Sequence, residues 1–81
     1  MIKVLFFAQL REQLGCANVE VEWQTDLDTL QSALGKRDGG RWQALLEQPN
    51  IVRSVNQVAV YGNTELRDGD EVAFYPPVTG G

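Results

Sequence analysis

The two most apolar stretches of the chain stand at its opposite ends, and that placement decides what the chain can fold into. Residues 2–8 (Ile-Lys-Val-Leu-Phe-Phe-Ala) are apolar, β-branched and aromatic except for one lysine. Residues 71–75 (Glu-Val-Ala-Phe-Tyr) share that character and are cut off by Pro76-Pro77. Such runs read as buried strands. Proline ends the second because it has no N–H to give to a ladder. The most apolar strands belong at the middle of a sheet, so the first and last strands are expected to be central. Side chains alternate across a strand. Ile2, Val4 and Phe6 therefore share one face, while Leu5 and Phe7 share the other with Lys3, which marks it as the wetter side. In the last strand Val72 and Phe74 lie on one face, Ala73 and Tyr75 on the other.

The middle of the chain supplies the rest of the sheet and its cover. Residues 9–14 place Leu10 and Leu14 four apart, about one helical turn, and Gly15 ends it. Residues 18–23 alternate Val19, Val21 and Trp23 against Glu20 and Glu22, a half-buried strand expected to pair with the first as a hairpin. Thr25 is expected to cap a helix, with Asp28 three residues on. Leu27, Leu30, Ala33 and Leu34 then form a helical stripe that packs on the sheet. Gly35 and Asp38-Gly39-Gly40 are expected to break this helix, and residues 41–48 form a second carrying Trp42, Leu45 and Leu46. Residues 54–61 read as one strand, Glu65-Leu66 as a brief extended piece and Asp68-Gly69 as a turn. The order predicts an α+β domain, a mixed sheet with its helices on one face.

Composition enters by what it forbids. At 81 residues the chain is one domain with a small core. Its single cysteine and lack of histidine exclude a Ser-His-Asp or Cys-His centre, an internal disulfide and a histidine-ligated metal. Seven basic against eleven acidic side chains give a net charge of −4, the wrong sign for nucleic acid. No stretch is long and apolar enough to span a bilayer and none reads as an export signal, so a reduced, cytoplasmic setting is expected.

The last ten residues, Val72 to Gly81, carry no charged side chain. After Pro77 nothing is large enough to build another element, so residues 1–77 are expected to be the domain and 78–81 an extended tail. Pro76-Pro77 stiffens its root toward a polyproline conformation. From Pro76 the tail reaches on the order of 20 Å, at ~3.1–3.6 Å per residue. Gly80-Gly81 has no side chains, so it threads a channel only as wide as a backbone. A terminal carboxylate is ionised at neutral pH and is a poor acyl electrophile until it is activated, for instance as an acyl-adenylate. Terminal glycines alone are equally a frayed end; on a small mixed-sheet domain they suit C-terminal acyl chemistry performed by partner enzymes.

Both ends of the chain also carry a resemblance. Residues 2–12 (IKVLFFAQLRE) and residues 66–81 (LRDGDEVAFYPPVTGG), together with Val55-Asn56-Gln57, resemble the first strand and the C-terminal signature of the small, sulfur-carrier subunits of molybdopterin synthase, a ubiquitin-like β-grasp family. Length and element order agree throughout. From about Cys16 to Ile51 the match is one of pattern, and Tyr75 stands where Phe is common.

This resemblance implies a β-grasp fold and a specific chemistry. Gly81 would be adenylated with ATP by an E1-like activating enzyme and converted, by a sulfur-donating enzyme, into a thiocarboxylate. The tail, with Gly80 as its thin neck, would enter the large synthase subunit and give sulfur to cyclic pyranopterin monophosphate. Catalytic side chains would belong to the large subunit, and this chain would bind neither cofactor nor metal itself. The alternatives are a thiamine-type sulfur carrier, a ubiquitin-like protein modifier joined through Gly81 to lysine, and a plain binding module with an inert tail.

A partner surface is expected at Leu5, Phe7 and Tyr75, which share the wetter sheet face, continuing through Pro76, Pro77, Val78 and Thr79. Other residues have blander readings. Cys16 has no nearby basic group to activate it, and a lone cytosolic cysteine is usually incidental. Asp68, Asp70 and Glu71 read as turn chemistry and a solvated rim, since the further ligands of a calcium loop are missing. Lys36, Arg37 and Arg41 read as an exposed basic loop, and Trp23 and Trp42 as core residues or lids.

Overall fold

The computed structural model describes residues 1–76. Strand β1 (Ile2–Phe6) leads into helix α1 (Ala8–Leu14) and strand β2 (Asn18–Val21). Helix α2 (Leu27–Gly35), a 3-10 turn (Asp38–Gly40) and helix α3 (Arg41–Leu46) follow, then β3 (Val52–Val55), β4 (Val58–Val60) and β5 (Glu71–Tyr75). The sheet order is β2-β1-β5-β3-β4. The two end strands are therefore neighbours in the interior of the sheet, as their apolar character predicts. They pair in parallel from Lys3 opposite Glu71 to Phe6 opposite Phe74, while every other strand pair is antiparallel.

The inner face of these two strands is the core. Ile2, Val4, Val72 and Phe74 are fully buried and Phe6 nearly so. Leu10 and Leu14 of α1, Leu27, Leu30 and Leu34 of α2, and Trp42 and Leu46 of α3 pack on them. Phe6 is the hub: Trp42 meets it edge-on at 5.3 Å and Phe74 stacks near it at 5.9 Å. Each large apolar side chain buried here contributes roughly 1.5–3 kcal/mol of transfer free energy. Gly15 closes α1 in the left-handed conformation, φ 78°, and its N–H donates to the Arg11 carbonyl.

The chain departs from the sequence expectations in several places, first in that the strand expected over residues 2–8 ends at Phe6 and Ala8 already opens α1. Residues 54–61 are two strands, β3 and β4, joined at Asn56-Gln57. Both turn residues have positive φ, 50° and 70°, the geometry of a tight two-residue hairpin. The cap of α2 is Asp26, whose Oδ1 accepts the Thr29 N–H at 2.8 Å; Thr25 instead uses its carbonyl to accept the Leu66 N–H. Gly35 is the last residue of α2, where the sequence placed the helix end, and α3 crosses close above it: a Cβ there would lie 3.1 Å from the Gln43 backbone. Gly39 and Gly40, both with positive φ, make the break. Trp23 lies beyond the end of β2 and is 47% exposed, its indole N–H donating to the Leu66 carbonyl at 2.8 Å. Trp42 is in the core as expected.

Candidate functional site

All three helices lie on the inner face of the sheet, so the outer face is a surface built from strand residues. Its layout follows from the register. One row across the sheet reads Asn18, Leu5, Ala73, Ser54 and Ala59. Toward the N-terminal end of β1 the next row is charged: Lys3 stands between Glu20 on β2 and Glu71 on β5. Toward the other end it is apolar: Phe7, then Tyr75, which faces Val52 on β3.

At that apolar end the rings of Phe7 and Tyr75 stack with centroids 4.7 Å apart and planes 3° from parallel. Phe7 is 38% exposed, and Leu5, Val52, Tyr75 and Pro76 are half-buried. The structure thus brings together Leu5, Phe7, Tyr75 and Pro76. The other expected partner and reacting residues, Pro77, Val78, Thr79, Gly80 and Gly81, lie outside the described residues, as does the expected boundary between residues 77 and 78. The parallel pairing of β1 and β5 delivers Phe7 and Tyr75 to one edge of the sheet, the edge at which the chain continues toward its diglycine. Val52, Ser54 and Ala59 join this face without having been read from the sequence. The alternation of β3 held the signal, but the single-strand reading of residues 54–61 left Val52 out.

Ser54 is buried on this face, and its hydroxyl has no hydrogen-bond partner among the described residues. Its neighbours in the row are Ala73 and Ala59. Small side chains therefore pave β5, β3 and β4 in this row, with the larger Leu5 beside them on β1 and the Phe7–Tyr75 pair one row away.

The acidic turn behaves as turn chemistry. The Asp70 carboxylate accepts the Arg67 N–H at 2.8 Å and the Asn56 amide at 3.0 Å. These bonds, the Arg67 one first, hold its pKa below the ordinary aspartate value. Asp68 pairs with the N-terminal ammonium of Met1. No group of three or more His, Cys, Asp or Glu able to hold a metal ion occurs among the described residues. In the basic loop Arg37 lies over the Trp42 ring at 5.3 Å, and Arg41 bonds Asp38 and the Gln13 carbonyl, which ties these cations to the body of the domain. Cys16 is half-buried. No helix among the described residues is long and apolar enough to cross a membrane.

Known proteins are similar to this chain in sequence and arrangement. The chain is 46% identical over 83 residues to the molybdopterin synthase sulfur carrier subunit of Escherichia coli, covering the whole of both chains. The complex of subunits 1 and 2 of the molybdopterin-converting factor from Helicobacter pylori contains a chain of the same fold, with a TM-score of 0.68, 28% identity and 99% and 97% of the two chains covered. The small archaeal modifier protein 1 of Haloferax volcanii superposes with a TM-score of 0.71 at 29% identity, covering 99% and 98%. The sheet and its helices are thus the ubiquitin-like β-grasp arrangement. Residues 4–81 match the model of one family, and with full-length identity beside it the chain belongs to the ThiS family.

Proposed function

We propose that this chain is the sulfur-carrier subunit of a molybdopterin synthase and that Gly81 carries the sulfur. The observation that carries the reading is the apolar patch of Leu5, Phe7 and Tyr75 at the strand end from which the chain runs on to Gly80-Gly81. A carrier needs a face that docks and a terminus thin enough to enter its partner, and the described chain reaches Pro76 beside that face before the sequence runs on to the diglycine. The full-length likeness to a sulfur carrier subunit supports it. The complex in which the Helicobacter pylori relative is found supports a large subunit as the docking partner.

The chemistry proceeds at the terminal carboxyl. In an E1-like activating enzyme, a Gly81 carboxylate oxygen attacks the α-phosphate of ATP, pyrophosphate leaves, and an acyl-adenylate remains. A sulfur nucleophile provided by a sulfur-donating enzyme attacks the acyl carbon and AMP leaves, which yields the thiocarboxylate. In the large subunit that sulfur forms a C–S bond with a side-chain carbon of cyclic pyranopterin monophosphate as a C–O bond to that carbon breaks, its oxygen leaving as phosphate or water. Hydrolysis of the resulting thioester leaves the sulfur on the pterin and restores the Gly81 carboxylate. Two such transfers build the dithiolene. Acid and base groups for these steps belong to the partners, consistent with a chain that has no histidine. ATP binds the activating enzyme and this chain holds no cofactor of its own.

Intact mass spectrometry tests the reading. After incubation with the activating enzyme, ATP and a sulfur source, the chain should gain the mass difference between sulfur and oxygen, localised to Gly81. Adding the large subunit and the pterin precursor should discharge it. A chain that charges but is discharged only by the thiamine pathway's acceptor would be a thiamine-type carrier. Isopeptide adducts on lysines of other proteins would instead make it a modifier, the reading favoured by the likeness to the archaeal modifier protein.

A further inference from the structure

We propose that Phe7 is a positioning residue for sulfur transfer: its ring fixes the direction in which the chain leaves the sheet at Tyr75-Pro76. This rests on the carrier reading above. The backbone ladder between β1 and β5 runs from Lys3–Glu71 to Phe6–Phe74. Its last bond is from the Phe7 N–H to the Phe74 carbonyl, 3.2 Å. There the first strand turns away into α1. Tyr75 keeps a strand partner on one side only, Val52 of β3. On the other side the parallel, stacked Phe7 ring takes the place of a further rung. Pro76 follows and has no N–H to add another bond. Among the described residues the ring pair therefore extends the contact between the ends of β1 and β5 beyond the last backbone bond.

Two local features show that the position of Phe7 is held at a cost to α1. Phe7 occupies the N-cap of α1, where a short polar side chain would satisfy an orphan N–H, and it makes no side-chain capping bond. Ala8 follows with φ 51°, a left-handed conformation that alanine rarely adopts. Such strain persists where surrounding structure over-determines it, and it gathers at functional sites. What this turn achieves is a ring laid flat against Tyr75 while still 38% exposed.

Leu5 provides the control, since it lies on the same face, one row away from the stacked pair. The thiocarboxylate is installed chemically, by sulfide cleavage of a C-terminal thioester, so that the activating enzyme is not needed. Sulfur transfer to the pterin precursor is then followed in single turnover with the large subunit, at increasing concentrations of carrier. Phe7→Ala should lower the rate at saturation by about tenfold to a hundredfold, the scale of a small misplacement of a reacting group. Phe7→Tyr, which keeps the ring, should restore it. Leu5→Ala should raise the half-saturating concentration and leave the saturating rate unchanged. In NMR spectra of Phe7→Ala, the Tyr75 ring protons should lose their ring-current shifts while the amide dispersion of the core is kept.

The inference is overturned if Phe7→Ala changes only the half-saturating concentration, as a simple contact residue would. It is equally overturned if Phe7→Tyr is as slow as Phe7→Ala, or if the Tyr75 shifts do not move. Failure of the unaltered thiocarboxylate to transfer sulfur overturns the carrier reading itself, a result distinct from a normal parent and an unaffected variant.

Discussion

Arg53 of β3 reaches Asp28 in the first turn of α2, its Nη1 lying 2.6 Å from the carboxylate. The same guanidinium donates to the Gln31 side chain at 3.1 Å and to the Gly62 carbonyl at 2.9 Å. Cross-strand pairing sets Arg53 beside Phe74 and Val60, on the face that looks toward the helices. One mostly buried cation thus joins the sheet, the main helix and the segment after β4.

Arg53→Ala should destabilise the domain by about 1–3 kcal/mol, because it strips partners from several polar groups at once. Asp28→Asn should cost under about 1 kcal/mol, since that carboxylate is largely exposed and screened by water. Urea unfolding of both variants checks the ordering, and equal losses would mean the ion pair itself dominates.

Gly35→Val should cost about 1–3 kcal/mol by forcing α2 from α3. The clash is with the Gln43 backbone, which cannot swing aside as a side-chain tip can. A thermal midpoint equal to that of the parent would show that the helices give way freely.

Gln57→Gly should stabilise the domain by up to about 1 kcal/mol, because it relieves a positive φ at the second position of a hairpin turn. Asn56→Gly should not match it. Asn56 also pairs with Asp70 and with the Glu71 N–H, and both bonds would be lost. Equilibrium unfolding distinguishes the two variants.

Acid should weaken the fold through Asp26 and Asp70. Both pKa values are lowered from 3.8, in each case first by a backbone N–H, from Thr29 for Asp26 and from Arg67 for Asp70. A carboxylate whose folded pKa is depressed adds stability that is complete above its unfolded pKa. That stability is lost as the pH falls below 3.8 and through the lower folded value. The denaturation midpoint should therefore drop between pH 5 and pH 2.5, and the drop should be smaller in the Asp26→Asn, Asp70→Asn double variant. An unchanged slope would remove these two groups from the account.

Leu5→Glu should keep the fold and lower affinity for the large subunit by about tenfold or more, the range of an interface anchor. Leu5 is half-buried on the outer face, away from the core cluster. Calorimetric titration measures the affinity and circular dichroism the fold; unfolding of the variant would place Leu5 in the core.

The faces of β1 were legible because strand alternation has a period of two and Lys3 marks the outer side; Ile2, Val4 and Phe6 are buried in the structure. The central place of the end strands was legible from apolar content alone. The β3–β4 turn was not, since Asn-Gln lacks the glycine that usually announces a tight hairpin, and both residues take positive φ in its place. Thr25 and Asp26 are adjacent residues of the capping type, and only the path of the chain decides between them. Arg53 was invisible for a different reason: it lies just before the strand read at residues 54–61, and its partners come from α2 and the segment after β4. The outer row from Leu5 to Ala59 depends on strand order, which joins segments that alternation treats one at a time.

The position of β5 in the interior of the sheet has a consequence for damaged copies. It pairs with β1 on one side and β3 on the other, and its Val72 and Phe74 are core. During synthesis the domain cannot close until this strand is available, and its contacts with β1 span nearly the whole chain. A protease cut within β5 removes part of the middle of the sheet along with the C-terminal diglycine. A chain cut there loses both ladders of β5 and the Val72 and Phe74 core contacts, so the clipped domain should unfold rather than remain a folded body without its C-terminus.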